Sequence, residues 1–249
     1  MRLRTHARLP VLGLLLALTA GCAGDGAQRE AGDAVTEADA ALLAGLLQRN
    51  HTAGGADFVV TAPYGREAVL TLTGEVDFRA GTGRAQAVTS TGGTEEVRTV
   101  FFTREELWIG DVPGADAAGA PYLSRPVDVD GERPPLVDVL VTVLLGLAAE
   151  DADDPDAFLD AGYSWQGRRS IDGRPTELFG LPGGRAVAVS STDDVLVQFA
   201  TPVPAGPGED DLEVTTTLAE HGRRSLDLPD GKRTAPLAEH PELAAALGL

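Results

Sequence analysis

The chain is poor in three kinds of residue that characterise large classes of proteins. A single cysteine among 249 residues excludes a disulfide framework and any cysteine-rich metal or iron–sulfur site. The 20 basic residues are outnumbered by 38 acidic ones, and the net charge of -18 argues against a nucleic-acid partner, because phosphate binding requires a basic surface. Aromatic residues make up only 5%, yet hydrophobic residues reach 43%, so the composition predicts a folded domain.

The N-terminus combines a basic start with an apolar run. Arg2, Arg4 and Arg8 precede an almost unbroken apolar stretch over residues 9–18, which is followed by small residues. This order is typical of a secretory signal, and the stretch is shorter than the roughly 20 residues that a bilayer span needs. We therefore expect residues 1–21 to be a cleaved signal peptide.

The only cysteine stands where this signal would be cut. Thr19-Ala20-Gly21-Cys22 resembles a bacterial lipobox, with threonine where leucine is usual. The resemblance implies that the Cys22 thiol takes a diacylglyceryl group, and that acyl chains such as palmitate hold the protein on the extracytoplasmic face of the cell membrane. Two or three acyl chains give stable anchoring where one chain does not. Loss of residues 1–21, with three arginines and no acid, would change the net charge from -18 to -21.

The rest of the chain is predicted to be a tether and one α+β domain. Residues 22–35 are small and polar, which is typical of a lipidated flexible tether, and the domain follows over 36–249. Thr36 and Asp39 have capping-box spacing, and leucines at helical intervals predict a helix over 37–49.

Period-two alternation between glycine breaks predicts two antiparallel meanders. The predicted strands are 58–61, 68–78, 85–91, 97–102 and 107–109 in the first, and 163–171, 177–181, 186–190, 195–200, 212–219 and 225–228 in the second. Asp172-Gly173 and Asp193-Asp194 mark hairpin turns. A brief helix is predicted over 155–159, and a short one over 240–249.

A second helix is predicted after Pro134-Pro135, over residues 136–149. Its small or polar positions, Asp138, Thr142 and Gly146, form one narrow stripe, and nearly all other positions are apolar. Such a helix is buried on more than one side, and about 14 residues are too few to span a membrane. Two interpretations stay open: the helix packs wholly as core, or one side of it lines a cavity for an apolar ligand.

The element order behind the lipobox resembles the LolA-like superfamily, in particular the LprG and LppX type of actinobacterial lipoprotein. The local similarities are residues 74–78 (GEVDF), 104–109 (REELWI), 171–175 (IDGRP) and 226–229 (LDLP). The resemblance implies a strongly curved antiparallel half-barrel with helices packed on its concave face, in an α+β fold that holds acyl chains. It also implies a carrier that presents lipids.

These arguments predict a monomeric, non-enzymatic lipoprotein that binds a lipid or another apolar ligand, without a cofactor or metal. The alternative is a protein-interaction or sensor module of the cell envelope on the same fold, with a membrane-protein partner. The residues expected to line a ligand cavity are Leu136, Val139, Leu140, Val143, Leu144, Leu147, Phe58, Val60, Leu70, Leu72, Phe101 and Trp108.

Motifs for catalysis are not found in the sequence. Residues 162–166 (GYSWQ) approach a nucleophile elbow but have Gln166 where glycine is required. The acidic residues between 151 and 156 lack the glycine turn of a calcium loop, and Pro155 stands where a ligand is needed. None of the four histidines is paired at metal-ligand spacing.

Overall fold

One continuous sheet dominates the structure. The computed structural model describes residues 29–64, 68–115, 119–131, 134–159, 162–203 and 211–247. The strands in these ranges are β1 (Asp33–Ala34), β2 (Gly55–Tyr64), β3 (Ala68–Asp77), β4 (Thr82–Thr91), β5 (Thr94–Phe102), β6 (Glu106–Gly110), β7 (Tyr122–Pro126), β8 (Ser164–Ile171), β9 (Arg174–Leu181), β10 (Arg185–Ser190), β11 (Leu196–Val203), β12 (Leu212–Ala219) and β13 (Thr234–Pro236). Their order across the sheet is β1-β8-β9-β10-β11-β12-β2-β3-β4-β5-β6-β7-β13.

The helices are short. They are α1 (Glu37–Ala44), α2 (Leu46–Ala53), α3 (Leu136–Leu145) and α4 (Pro241–Ala246), with single 3-10 turns at Pro155–Phe158, Pro182–Gly184 and Leu237–Glu239. Within the described ranges, none of these helices has the length and apolar character needed to cross a bilayer. The predicted signal peptide and Cys22 lie outside the described residues.

The predicted fold class, a strongly curved antiparallel half-barrel with helices packed on its concave face, is wrong. The thirteen strands of the described residues form an open, mixed sheet with β1 and β13 at its edges, and β13 pairs with β7 in parallel. Thirteen strands spaced by about 4.8 Å extend across almost 60 Å. The ten residues of α3 measure only about 15 Å, so helices of this length cannot cover such a sheet.

The helices are shorter, and the strands more numerous, than the sequence predicted. The predicted capping box is confirmed, since the Thr36 hydroxyl accepts from the Asp39 N–H and the Asp39 carboxylate accepts from the Thr36 N–H, but the helix divides at Gly45 into α1 and α2. The helix that begins after Pro135 ends at Leu145 rather than at residue 149. Strands β1, β7 and β13 were missed, and residues 225–228 do not form the predicted strand.

The meanders themselves are confirmed, with short turns between paired strands. Asp172 and Gly173 join β8 to β9 with φ angles of 50° and 79°. A two-residue type I′ turn requires positive φ at both positions, which is why aspartate and glycine favour this hairpin. Neighbouring strands in chain order are therefore neighbours in the sheet from β2 to β7 and from β8 to β12.

One row of directly paired residues shows how the core is built. It runs through Trp165, Phe179, Val187, Phe199, Thr216, Val60, Leu72 and Ala87, on eight adjacent strands. Residues paired directly across strands lie on the same face of a sheet. The apolar members of this face belong to, or pack against, the main buried cluster, which also contains Leu43 of α1 and Leu140 of α3. We call it the core face, and the opposite side the solvent face.

Candidate apolar binding site

Nine of the twelve predicted cavity residues lie in or against the main buried cluster. Seven of them are members of the cluster and two, Leu136 and Val139, pack against it while remaining half-buried. The seven members are Phe58, Val60, Leu70, Leu72, Leu140, Leu144 and Leu147. Val143 is half-buried on α3 and is not part of this cluster. α3, β2 and β3 therefore contribute side chains to the same buried cluster.

Phe101 and Trp108 are not on the core face. They pair directly with each other across β5 and β6, while their neighbours Phe102 and Leu107 form the adjacent pair. Phe102 and Leu107 belong to the main buried cluster, so strand alternation places Phe101 and Trp108 on the solvent face. There Phe101 meets the Tyr122 ring edge-on, with 5.5 Å between ring centroids. These two residues cannot line a cavity between α3 and the core face.

The core face is unevenly covered along the sheet. On β2 and β3, Phe58, Val60 and Leu72 are at most 2% exposed, so this part is closed core. On β8, β9 and β11 the same face carries Trp165, Leu181 and Phe199, which are only half-buried although they pack against the cluster. The second meander therefore holds apolar surface that the protein's own elements only partly cover.

The partly covered surface ends in a cluster that we call the apolar rim. It comprises Phe158, Leu159, Tyr163, Trp165 and Leu181. Phe158 and Tyr163 pack with ring centroids 5.0 Å apart, and the side chain of Leu159 is 45% exposed. A large apolar side chain exposed beside half-buried aromatic rings differs from scattered surface hydrophobics, which carry no functional meaning. The rim is a candidate entrance to the core face.

Polar contacts attach the beginning of the described chain to the rim. The Arg29 guanidinium lies 4.7 Å from the centre of the Trp165 ring and 2.8 Å from a carboxylate oxygen of Asp39. Burial by itself would raise the pKa of Asp39, but the hydrogen bonds from Arg29 and Thr36 outweigh it and lower that pKa below 3.8. The Gly32 N–H also donates to the Trp165 carbonyl at 2.8 Å. The described end of the predicted tether is thus bound to the domain.

Two buried polar atoms on the core-face row have no hydrogen-bond partner in the described structure. They are the Trp165 Nε1 and the Thr216 hydroxyl oxygen. Thr216 is only 1% exposed and stands between Phe199 and Val60 in the row. An unpaired buried hydroxyl costs about 1–3 kcal/mol, and most such groups in proteins are paired. Both atoms thus lie buried on the core face without a partner among the described residues.

The helix α3 is held at both ends by polar contacts. At its start, the fully buried Asp138 carboxylate accepts two hydrogen bonds from Arg125 of β7, at 2.6 and 2.5 Å, and one from the Asp128 N–H at 2.7 Å. At its end, Arg104 donates to the Leu145 carbonyl at 3.0 Å. These contacts fix the orientation of the helix over the core face.

Asp138→Asn is expected to destabilise the protein by about 3 kcal/mol, because it leaves the Arg125 guanidinium, which is only 12% exposed, without its charge partner. Urea unfolding monitored by circular dichroism measures the change. The exposed Asp151→Asn variant is the matched control and should unfold like the parent. Equal stability of the two variants would show that the Arg125–Asp138 pair does not hold α3.

His221 is a half-buried histidine whose pKa is shifted. Burial lowers the pKa of His221 below its ordinary value of 6.5, and the positive charge of Arg174 lowers it further. Neither ring nitrogen has a well-aligned hydrogen-bond partner in the described structure. Asp193 opposes the shift. The described residues contain no group of three metal-ligating side chains.

The lowered pKa of His221 gives a testable dependence of stability on pH. The folded state favours the neutral ring, so the free energy of unfolding is highest above about pH 6.5 and decreases as the pH falls from there toward the lower folded pKa. His221→Gln should flatten this part of the stability profile, measured by thermal unfolding between about pH 7.5 and 5.5. The parent protein, measured over the same pH range, is the reference. If the stability of His221→Gln still decreases as steeply as the parent's over this pH range, the pH dependence does not come from His221.

Three surface depressions have no rim residue in their lining. Their volumes are about 450, 730 and 460 Å³. Charged side chains contribute to the lining of each, namely Arg79, Arg104, Glu105 and Glu150 in the first, Asp57, Glu75 and Arg84 in the second, and Asp39, Arg49, Glu177 and Asp194 in the third. Ligand sites are mostly apolar with a few placed polar groups, so these three depressions are poor sites for an apolar ligand.

The comparisons with known proteins add little to this geometry. No family model and no curated protein matches the chain. Among solved structures, an uncharacterized conserved protein from Thermus thermophilus aligns with 80% of this chain and 96% of its own, at 11% identity and a TM-score of 0.38. A similarity of this strength carries no argument about fold or function.

Sequence reasoning missed the residues of the second meander. The predicted cavity used the first meander and the helix, whereas Trp165, Leu181 and Phe199 are the half-buried core-face residues. A signal was present, because each of these residues is a large apolar side chain within a predicted strand. Their common face could not be established without the pairing register, since a shift of one residue reverses the face of a side chain.

Proposed function

We propose that this protein is a membrane-anchored extracytoplasmic lipoprotein that binds the acyl chains of a lipid and catalyses no reaction. The observation that carries the proposal is the half-buried core face of the second meander, at Trp165, Leu181 and Phe199. Full burial of such side chains is worth about 1.5–3 kcal/mol each, so several kcal/mol of stabilisation are unrealised there. An acyl chain would recover this at about 0.8 kcal/mol per buried CH₂ group.

Unpaired polar atoms on the same face favour a ligand with both apolar and polar parts. The Thr216 hydroxyl and the Trp165 Nε1 are buried donors without a partner in the described structure. A lipid's ester or carboxyl oxygen accepts hydrogen bonds from such donors, while a pure hydrocarbon leaves them unpaired. An acyl lipid supplies both the apolar contact that the core face lacks and an acceptor for these donors.

The anchor is proposed from the sequence around Cys22. Its lipobox-like setting supports acylation, and the acidic charge of the chain supports it indirectly. A net charge of -18 disfavours adsorption to anionic headgroups, so a covalent acyl anchor is the attachment consistent with an extracytoplasmic role. The proposed partners are thus the membrane and a lipid ligand, with the protein acting as a monomer.

Cys22→Ser is expected to release the protein from the membrane fraction into the medium or the soluble fraction, because serine cannot form the thioether that carries the diacylglyceryl group. Fractionation and immunoblotting of the producing cells measure the distribution. Ser170→Cys, which keeps Cys22, is the control and should stay with the membrane. Retention of the Cys22→Ser protein in the membrane would contradict acylation as the anchor.

Lipid binding is tested by releasing the protein from its membrane and recording its mass under native conditions, followed by extraction of bound lipid. The parent should carry about one lipid, and Leu181→Gln should reduce the bound fraction several-fold, because an amide replaces apolar contact on the core face. Val129→Gln is the matched control, as Val129 is an exposed valine outside the rim, 41% exposed, and should bind like the parent. Thermal unfolding establishes that both variants are folded.

One further observation supports the alternative, a protein-interaction module. Val59, Val69 and Val97 lie on the solvent face of β2, β3 and β5, and each is about 40% exposed. The three valines share one sheet face, although the register pairs none of them with another. Contiguous exposed apolar surface is typical of partner sites. A folded parent protein that carries no lipid but crosslinks to one protein in a fixed ratio would establish this alternative in place of the carrier.

A further inference from the structure

The first described residue of the chain is bound beside the apolar rim. Arg29 stacks on Trp165, a member of the rim, and forms an ion pair with Asp39 of α1. Four residues later β1 pairs with β8, where Asp33 stands opposite Trp165 and Ala34 opposite Ser164. Three independent contacts therefore fix the point at which the N-terminal segment enters the domain. The N-terminal segment therefore enters the domain directly beside the rim.

The distance from this point to the membrane is limited by chain length. Seven residue steps separate Cys22 from Arg29, and a fully extended chain covers at most about 3.6 Å per step, or roughly 25 Å in total. The sheet extends across almost 60 Å, so most of the domain can lie farther from the bilayer than the rim. This step rests on the proposed function, because it takes Cys22 as the acylated anchor.

The chemistry of the rim suits the boundary between headgroups and acyl chains. Leu159 is 45% exposed, and Tyr163 and Trp165 are half-buried rings with polar atoms. Tyrosine and tryptophan are enriched at membrane–water interfaces, because their large rings combine apolar surface with a polar group. Exposed acidic residues at Asp151, Asp153, Asp154 and Asp156 precede the rim, so neutral or zwitterionic headgroups suit it better than anionic ones.

We infer that the apolar rim is a membrane-docking surface. The tether holds Phe158, Leu159, Tyr163, Trp165 and Leu181 against the lipid bilayer that carries the anchor. A lipid would then pass between the bilayer and the core face of the second meander without its acyl chains crossing water. The occupant of this surface is the lipid bilayer itself, and neither a protein partner nor a second copy of the chain is needed.

Site-specific fluorescence quenching tests the docking. Cys22 is the only cysteine and is consumed by acylation, so an introduced cysteine is the single free thiol of the anchored protein. Leu159→Cys places a nitrobenzoxadiazole label on the rim. Ser170→Cys is the matched control, because Ser170 is exposed on β8 at the end of the strand opposite to the rim, about 20 Å from Ser164. Both full-length acylated proteins are reconstituted in phosphatidylcholine vesicles that contain spin-labelled lipid.

The rim label should be quenched at least three-fold more strongly than the Ser170 label. Equal quenching, or stronger quenching at position 170, overturns the docking surface. Flotation of the same vesicles measures anchoring, and extraction of the purified protein measures bound lipid. Anchored, lipid-loaded protein without rim quenching overturns the docking surface alone, while rim quenching without bound lipid supports docking and refutes the carrier. Protein that does not float with the vesicles is not anchored, so the limit set by the chain length between Cys22 and Arg29 no longer applies. This result overturns both the docking surface and the membrane-anchored carrier.

Discussion

The pairing register of the sheet is the constraint on which the other features depend. It aligns eight residues from Trp165 to Ala87, all but Thr216 apolar, in one row across eight strands, and thereby places the main buried cluster on one face of the sheet. Side chains alternate between faces along a strand, so a shift of one residue would exchange buried and exposed positions on that strand. Short turns that contain glycine and aspartate, such as Asp172-Gly173, fix the pairing register between neighbouring strands. The register in turn decides which side chains are buried.

A sheet of this width needs more cover than its helices supply. Leucines of α1 and α3 join Phe58 and Leu72 in the main cluster, where burial is complete. Helices of eight to ten residues are only about 12–15 Å long, so a large part of the same face depends on other elements. The half-buried Trp165 and Phe199 follow from this shortage, and the proposed site occupies the surface that the helices do not reach.

Charged residues hold the elements that surround this surface. Arg29 joins Trp165 to Asp39, and Arg125 joins β7 to Asp138 of α3. Neither pair presents free charge to a ligand, because each guanidinium is matched by a carboxylate. Arg29 and Arg125 therefore serve to position the elements around this surface.

The sequence by itself determined the features that depend on neighbouring residues. These include the capping box at Thr36, the start of α3 after Pro135, the Asp172-Gly173 turn and most strands of the two meanders, all of which the structure confirms. The lipobox-like pattern at Cys22 is also local and stays a prediction. Only the tertiary structure decided the open, mixed sheet, the solvent-face position of Phe101 and Trp108, and the rim beside Arg29. These features arise from contacts between residues far apart in the chain, and periodicity within one segment carries no information about which distant strand or helix will cover it.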